Sequence, residues 1–238
     1  MKEVTNLKLS LASSEQKTYY QPLNETLGEI DLTLDEGSKL ELLIYNSDCT
    51  LKASVAKDAT LVIYNITFTN QAASSNFNID INGTGADVHI LNVYLGVKDA
   101  KLTADIYIKH HAGSSKSLLE TYAISLDNAV MVLNNNAKIE AGMHASDARQ
   151  LTKGLNFGKG SITAKPNLFI DEYDVIASHS ASIGSIDQEE LFYLMSRGLS
   201  LEDATEIITL GFIKPLLQEI KDLQLQQDIY NQFIAYLK

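Results

Sequence analysis

Between about Ile30 and Ser185 the chain returns again and again to one motif: a turn residue, a small residue, then alternating apolar and polar positions. Gly37-Ser-Lys-Leu-Glu-Leu42, Asp48-Cys-Thr-Leu-Lys-Ala53, Asp58-Ala-Thr-Leu-Val-Ile63 and Gly85-Ala-Asp-Val-His-Ile90 follow it. So do Asp99-Ala-Lys-Leu-Thr-Ala104, Asn128-Ala-Val-Met-Val132, Asn136-Ala-Lys-Ile-Glu-Ala141 and Gly160-Ser-Ile-Thr-Ala164. Period-two alternation puts successive side chains on opposite faces of a half-buried strand, and Gly, Asn and Asp supply the turn geometry before each one. The pattern predicts an all-β body. Its uneven spacing suits a right-handed parallel β-helix, a solenoid with rungs of variable length, better than a strict hexapeptide helix. In such a stack the small residue after the turn sits at a tight inward corner, the slot taken by Ala, Ser and Cys49. Alternation does not report which strand pairs with which, so a Greek-key sandwich satisfies the same pattern.

After Gly184 the period changes to helical. Asp187 is placed to cap a helix, with Glu190 three residues on completing a capping-box pattern, and Gly198 supplies a left-handed stop. Leu191, Leu194 and Met195 share one face, with Phe192 nearby. Ser200 caps a second helix with Asp203 at its third position, and Ala204, Ile207, Ile208 and Phe212 form the apolar stripe. Pro215 is expected to break or kink this helix near its end and leave Leu216 to Leu237 as a third segment. The first twenty or so residues read as a leading strand or an arm, and Gln71-Ala-Ala-Ser-Ser-Asn76 as a loop. The expected division is a solenoid over 1–185 and a helical segment over 186–238.

Composition narrows the field. The 238 residues are 45% hydrophobic, enough to bury a substantial core. One cysteine excludes an internal disulfide and a cysteine-only metal site within one chain, and suits a reducing compartment. A net charge of -11 argues against a phosphate-backbone binder, so no nucleic-acid partner is expected. No apolar h-region follows Lys2 and no window has the length of a membrane span, so a cytoplasmic protein without a membrane partner is expected.

His179 is the leading candidate site. It lies among small polar residues between the β body and the helices, where an imidazole stays accessible, and neutral imidazole suits iron. The competing reading is a histidine that hydrogen-bonds backbone at a junction. Cys49 has Asp48 and Thr50 beside it, no local cation to lower its pKa, and the corner slot of the repeat, so it reads as packing. Sulfur delivered as persulfide must land on a cysteine, so this chain is not expected to receive it. His110 and His111 are adjacent and point to opposite faces of a strand, so they cannot chelate one metal together. His89 and His144 lack neighbours that suggest a site. There is no G-x-S-x-G, P-loop, H-E-x-x-H or dinucleotide fingerprint. Asp171-Glu172-Tyr-Asp174 offers clustered carboxylates that would serve a solenoid carbohydrate-active enzyme, against which stand the absence of tryptophan and of a secretion signal.

One stretch carries more than composition can. Ala177-Ser-His179-Ser-Ala-Ser-Ile-Gly184 runs into Asp187-Gln-Glu-Glu-Leu-Phe-Tyr-Leu-Met-Ser-Arg197-Gly198-Leu-Ser200. It resembles the SufB/SufD scaffold family of iron–sulfur cluster assembly, in which S-H-[GS]-A-[ST]-[IV]-G leads into L-F-Y-L-x-S-R-G. Ile108-Lys-His110-His-Ala-Gly-Ser-Ser-Lys-Ser117 resembles the family's V-x-H-x-A-x-x-x-x-S, and Asp147-Ala-Arg-Gln150 its T-D-A-x-Q. The resemblance spans roughly Asp105 to Lys238. It implies a non-catalytic scaffold, and Ala-Ser-His in place of a SufB-like Glu-His-Glu points to SufD. Leu151-Thr-Lys-Gly-Leu-Asn-Phe-Gly158 also lacks the cysteine of SufB-type paralogues. Because family members carry an N-terminal helical region, a shortened SufD is expected.

By the same resemblance, His179 faces a cysteine of a SufB-like paralogue, and an iron–sulfur cluster or iron is held transiently between the two, none being bound stably by this chain alone. Cys49, His110, Gln150 and Gly184 are expected to be structural, Gln150 as a rung hydrogen bonder. Glu190, Leu191, Phe192, Tyr193, Arg197, Gly198 and Phe212 are expected to face a SufC-like ATPase. A homodimeric scaffold without a SufB partner is the alternative within the family. A carbohydrate-active enzyme using Asp171 or Asp174 is the alternative outside it.

Overall fold

The computed structural model describes residues 4–46 and 48–237. Residues 1–3, at the start of the expected solenoid, and Lys238, at the end of the expected helical segment, lie outside them. Fourteen strands come first: β1 (Val4–Leu11), β2 (Gln16–Tyr20), β3 (Thr26–Leu34), β4 (Lys39–Tyr45), β5 (Cys49–Val55), β6 (Thr60–Thr69) and β7 (Ala72–Ile81). Then follow β8 (Asp87–Gly96), β9 (Lys101–His110), β10 (Lys116–Ser125), β11 (Val130–Ile139), β12 (Asp147–Asn156), β13 (Ser161–Ile170) and β14 (Ile176–Ser185). Three helices close the chain: α1 (Gln188–Ser196), α2 (Leu201–Leu217) and α3 (Leu223–Leu237).

Every strand pairs in parallel with the strand two places away, odd strands forming one seven-stranded sheet (β1-β3-β5-β7-β9-β11-β13) and even strands the other. The result is a parallel β-solenoid, each rung one odd and one even strand, and not a Greek-key sandwich. Inward residues of both sheets, among them Leu32, Leu42, Leu51, Ile63, Ile79, Ile90, Ile106 and Leu119, interlock as one core. The alternation read from the sequence is this division between lumen and exterior.

The turn-plus-small motif falls at the corners. Gly37, Asp58, Gly85, Ser114 and Ala145 all have positive φ, and each directly precedes a buried small residue, Ser38, Ala59, Ala86, Ser115 or Ser146, that leads into an even strand. These corners stack. The N–H of Gly37 donates to Lys57 O at 2.8 Å, that of Asp58 to Thr84 O at 2.9 Å and that of Ser114 to His144 O at 2.7 Å, one rung to the next. The fit is tight enough that a Cβ on Gly83 would lie 1.9 Å from the Lys57 backbone nitrogen. One instance of the motif and the expected loop fall inside strands instead. Asn136-Ala137 lies within β11 and not at a corner. Gln71–Asn76 is not a loop: Ala72 onward is β7, paired with β5 and β9, and the Asp48 carboxylate accepts from the Ser74 N–H and hydroxyl. At the start of the described residues, β1 and β2 pair in the two sheets with β3 and β4.

The helices lie along the flank of the stack. β4, β6 and β8 are apolar on both faces, and outward Tyr45, Tyr64, Ile66, Phe68, Leu91, Val93 and Leu95 pack under Ile213, Leu217, Ile220, Ile229 and Phe233 of the helical segment. Phe68 meets Phe233 edge-on, ring centroids 5.4 Å apart. Strands buried on both faces are near-continuous apolar runs, because helices cover what solvent would otherwise see. Pro215 does not break α2, which runs on to Leu217; it falls in the last turn, and the third helix begins only at Leu223. Among the described residues no helix is long and apolar enough to cross a membrane.

Candidate functional site

The candidate site is the open end of the stack. β13 and β14 are the terminal strands of their sheets, so no further rung lies above them among the described residues. β13 carries Pro166, which donates no N–H and suits an edge. β14 runs Ile-Ala-Ser-His-Ser-Ala-Ser-Ile-Gly-Ser without proline, and is exposed along nearly its whole length. A long, small-residue edge strand with free backbone groups is a template for pairing with another chain.

His179 sits in the middle of β14. The register places it over Gln150 of β12, with Ala177 over Ala148 and Ile183 over Gly154. Residues two apart share a face. The space over Gly154 is filled by Ile183, whose Cγ1 would lie 3.0 Å from an added Cβ, with Ile162 of β13 at 3.1 Å. Ile183 therefore faces the lumen, and so do Ala177, His179 and Ala181. His179 is exposed only because its rung is the last. Beneath it Gln150 is 4% exposed. Its Nε2 donates to Asn167 O at 3.3 Å, and its buried Oε1 has no hydrogen-bond partner among the described residues.

A second lumen histidine behaves differently. His110, at the end of β9, is fully buried, with Nδ1 2.7 Å from Ser115 Oγ and Nε2 2.8 Å from Ser117 Oγ. The Ser115 hydroxyl gives its proton to Ala112 O at 2.7 Å, so it accepts from Nδ1–H, and Nε2 accepts from Ser117. Burial, assisted by neighbouring His111, pushes the imidazole down to about 4, so it is neutral at physiological pH. His111, on the opposite face, lies 3.0 Å from both Asp80 and Glu140 in an exterior charge ladder, and its pKa is raised chiefly by the hydrogen bond to Glu140.

Cys49 opens β5 at 2% exposure, and burial, reinforced by Asp48, pushes its thiol up to about 12. A thiol held protonated is neither nucleophile nor ligand. Gly184 needs no glycine in the free chain, because a Cβ there meets nothing within 4 Å. Between β13 and β14 the Glu172 carboxylate has structural employment: it accepts from the Tyr173 and Gly142 N–H groups at 2.8 Å, bonds that hold its pKa low, while the backbone carbonyl of Asp174 accepts from the Ala145 N–H at 2.6 Å.

The residues expected on the ATPase-facing surface divide in two. Leu191 is 6% exposed and packs with Ile186 and Ala204 against Leu155 and Phe157, and Phe212 meets Tyr122 edge-on at 5.8 Å. Both anchor helices to the solenoid. Phe192 and Tyr193 are exposed, at 74% and 55%, and the Arg197 guanidinium lies 5.2 Å from the Tyr193 ring centre. Glu190 is also exposed; the helix cap is made by Asp187 accepting from Glu189 N at 2.8 Å, one residue short of the capping-box position. Gly198, at φ +95°, reverses the chain after α1 as its type suggests. Ser200 accepts from the Asp203 N–H at 3.0 Å and caps α2. Sequence reasoning missed an apolar cleft of about 570 Å³ between α2 and α3, lined by Ile207, Leu210, Gly211, Leu217 and Tyr230. Its signal was the exposed Ile207 on a stripe otherwise turned inward.

Among the described residues, no three His, Cys, Asp or Glu side chains converge as a metal site. Among the described lumen-facing residues of the last rung, His179 is the one whose side chain is of a metal-ligating type.

Comparison with known proteins bears on what that end is for. The family model for the SUF system FeS cluster assembly SufBD core domain matches residues 44–212. The SufD iron–sulfur cluster assembly protein of Bacillus subtilis is 33% identical over 60% of this chain and 32% of its own length. That of Escherichia coli is 29% identical over 74% of this chain and 42% of its own length. A SufBD family iron–sulfur cluster assembly protein of Pyrococcus horikoshii is 31% identical over 71% of this chain and 38% of its own. The matched spans are thus well under half of each relative.

Proposed function

The chain belongs to the SufBD core family of the SUF iron–sulfur cluster assembly system, on its SufD-like side, and we propose that it is a scaffold subunit whose open last rung is half of a cluster-assembly interface. The observation that carries the reading is the placement of His179. It is the lumen-facing side chain of the terminal strand able to ligate iron, beside a backbone edge ready to pair.

In this reading β14 pairs with the equivalent edge of a SufB-like paralogue, and the two lumens meet end to end. His179 supplies a neutral nitrogen at the junction, and the partner supplies the thiolate, because Cys49 is sealed in the core and protonated. Mixed imidazole and thiolate ligation is ordinary for iron–sulfur clusters. The iron and sulfide are cargo: they assemble at the junction, and the chain contributes a ligand, a backbone template and a surface that excludes water. The same inventory disfavours a homodimer of this chain, which would bring two histidines and no accessible sulfur acceptor.

The helical segment, 186–238, is proposed as the docking site of a SufC-like ATPase in the cytoplasm. Its supports are the exposed Phe192, Tyr193, Met195 and Arg197 and the apolar cleft between α2 and α3. Nucleotide-driven closure of that ATPase would move the flank-bound helices, and the junction with them. The test is anaerobic co-expression with a SUF-type ATPase and a SufB-like paralogue, read by native mass. One assembly holding all three chains is expected, and His179→Ala should leave its mass unchanged while abolishing cluster absorbance. A lone monomer sinks the docking reading, and unchanged absorbance in an intact assembly sinks the ligand reading.

A further inference from the structure

The interior below the open end is unusually polar for a solenoid. Asn65 donates to Asn92 Oδ1 at 3.0 Å and to the Tyr94 hydroxyl at 2.9 Å, Asn92 to Thr121 at 3.2 Å, and Asn135 to Thr152 at 3.1 Å. Gln150 stands beside this seam but one column over, between Leu119 below and His179 above. Its carboxamide is buried, and one contact fixes which way round it lies. A backbone carbonyl only accepts, so the end that meets Asn167 O has to be the NH₂ end. That leaves Oε1, a strong acceptor, sealed from water and unpaired. Leaving such a group unsatisfied costs about 1–3 kcal/mol, which makes a missing donor the expectation. The polar side chain over it in the same column, on the same face, is the imidazole of His179.

We propose that Gln150 is a positioning residue for His179: its Oε1 accepts a hydrogen bond from one ring N–H, holding the imidazole in a single tautomer with its other nitrogen turned to the open end. The inference rests on the reading of His179 as a ligand and supplies what that reading lacks. A ligand imidazole binds through one nitrogen while the other donates to a carbonyl or carboxylate, which sets tautomer and ring plane. His110 shows the arrangement completed within the chain, with both nitrogens engaged and none left over. His179 would have one engaged by Gln150 and one left for the partner's side.

The experiment uses the full chain labelled with ¹⁵N, at a pH where the imidazole is neutral, with the His179 ring signals assigned by their loss in His179→Ala. The expected spectrum is one dominant tautomer in the wild type, and both tautomers in exchange, as for a solvent-exposed imidazole, in Gln150→Leu. Gln150→Glu keeps an acceptor at the same place and, as a neutral acid, a donor towards Asn167; it should restore the single tautomer. In the assembled complex Gln150→Leu should slow cluster formation about 10- to 100-fold, with rescue by Gln150→Glu. A wild-type chain that already shows both tautomers, or a Gln150→Leu chain that keeps one, overturns the proposal, even where Gln150→Leu proves unstable in the complex. The ligand reading fails separately: cluster formation surviving His179→Ala would remove it while leaving the tautomer result standing.

Discussion

His110 and His179 face the lumen of the same solenoid, and what separates them is what lies above each. Over His110 the stack continues, water is gone, and two serines take both ring nitrogens. Over His179 the stack stops, and the same side chain is left exposed beside an unpaired acceptor. The rung geometry is identical in kind. A middle rung closes over its histidine, whereas the rung of His179 is terminal and leaves one face uncovered.

The comparison breaks most easily in the packed region. Phe233→Ala empties a fully buried site against Phe68 and should cost about 3–5 kcal/mol. Ile183→Ala, on the last rung at 37% exposure, should cost about 1 kcal/mol. Chemical denaturation of both variants measures the gap, and near-equal losses would mean that the end is as tightly packed as the middle. The His110 environment adds acid sensitivity. Its folded pKa, about 4, lies below the ordinary 6.5, so the stability it protects is complete above pH 6.5 and is lost as pH falls towards 4. The loss should total about 3 kcal/mol over that window, and His110→Gln should flatten the slope. A smaller effect of opposite sign belongs to His111, whose pKa is raised by Glu140 and Asp80. It should contribute up to about 1 kcal/mol below pH 6.5 and lose it as pH rises through its folded pKa, a difference that His111→Gln should remove. His179→Ala is expected to change least, by about 0.5 kcal/mol, the low end for one hydrogen bond, since nothing packs above the ring. A loss of several kcal/mol would show that the last rung is packed like the middle of the stack.

Much of the solenoid was legible because its corners are local. A left-handed residue and a small one must be adjacent in the chain, so the motif appears in the text of the sequence. It misled where the same pair has another use: Asn136-Ala137 fills a strand interior, and Ser74-Ser75 reads as a loop until Asp48 and the neighbouring strands hold it extended. The covering of the flank by α2 and α3 was less accessible, since it joins residues far apart in the chain. Its trace was present in Leu40–Tyr45 and Ile90–Leu95, runs too continuously apolar for strands with one wet face. At the site, His179 was legible as a type of residue in an open setting. The unpaired oxygen of Gln150 was not, because an orphaned acceptor is a property of the packed rung and leaves no mark on spacing or composition.

The helices that shield Tyr45, Phe68 and Leu95 follow all fourteen strands in the chain. On the ribosome the solenoid therefore emerges with a broad greasy flank bare, and it stays bare until the segment from Leu201 to Leu237 has been made and has folded back. At a synthesis rate of about 5–20 residues per second, that delay lasts for seconds, long compared with hydrophobic collapse and long enough for neighbouring nascent chains to meet. The lid that matters to this protein's birth is the same one that the proposed function offers, in maturity, to a partner.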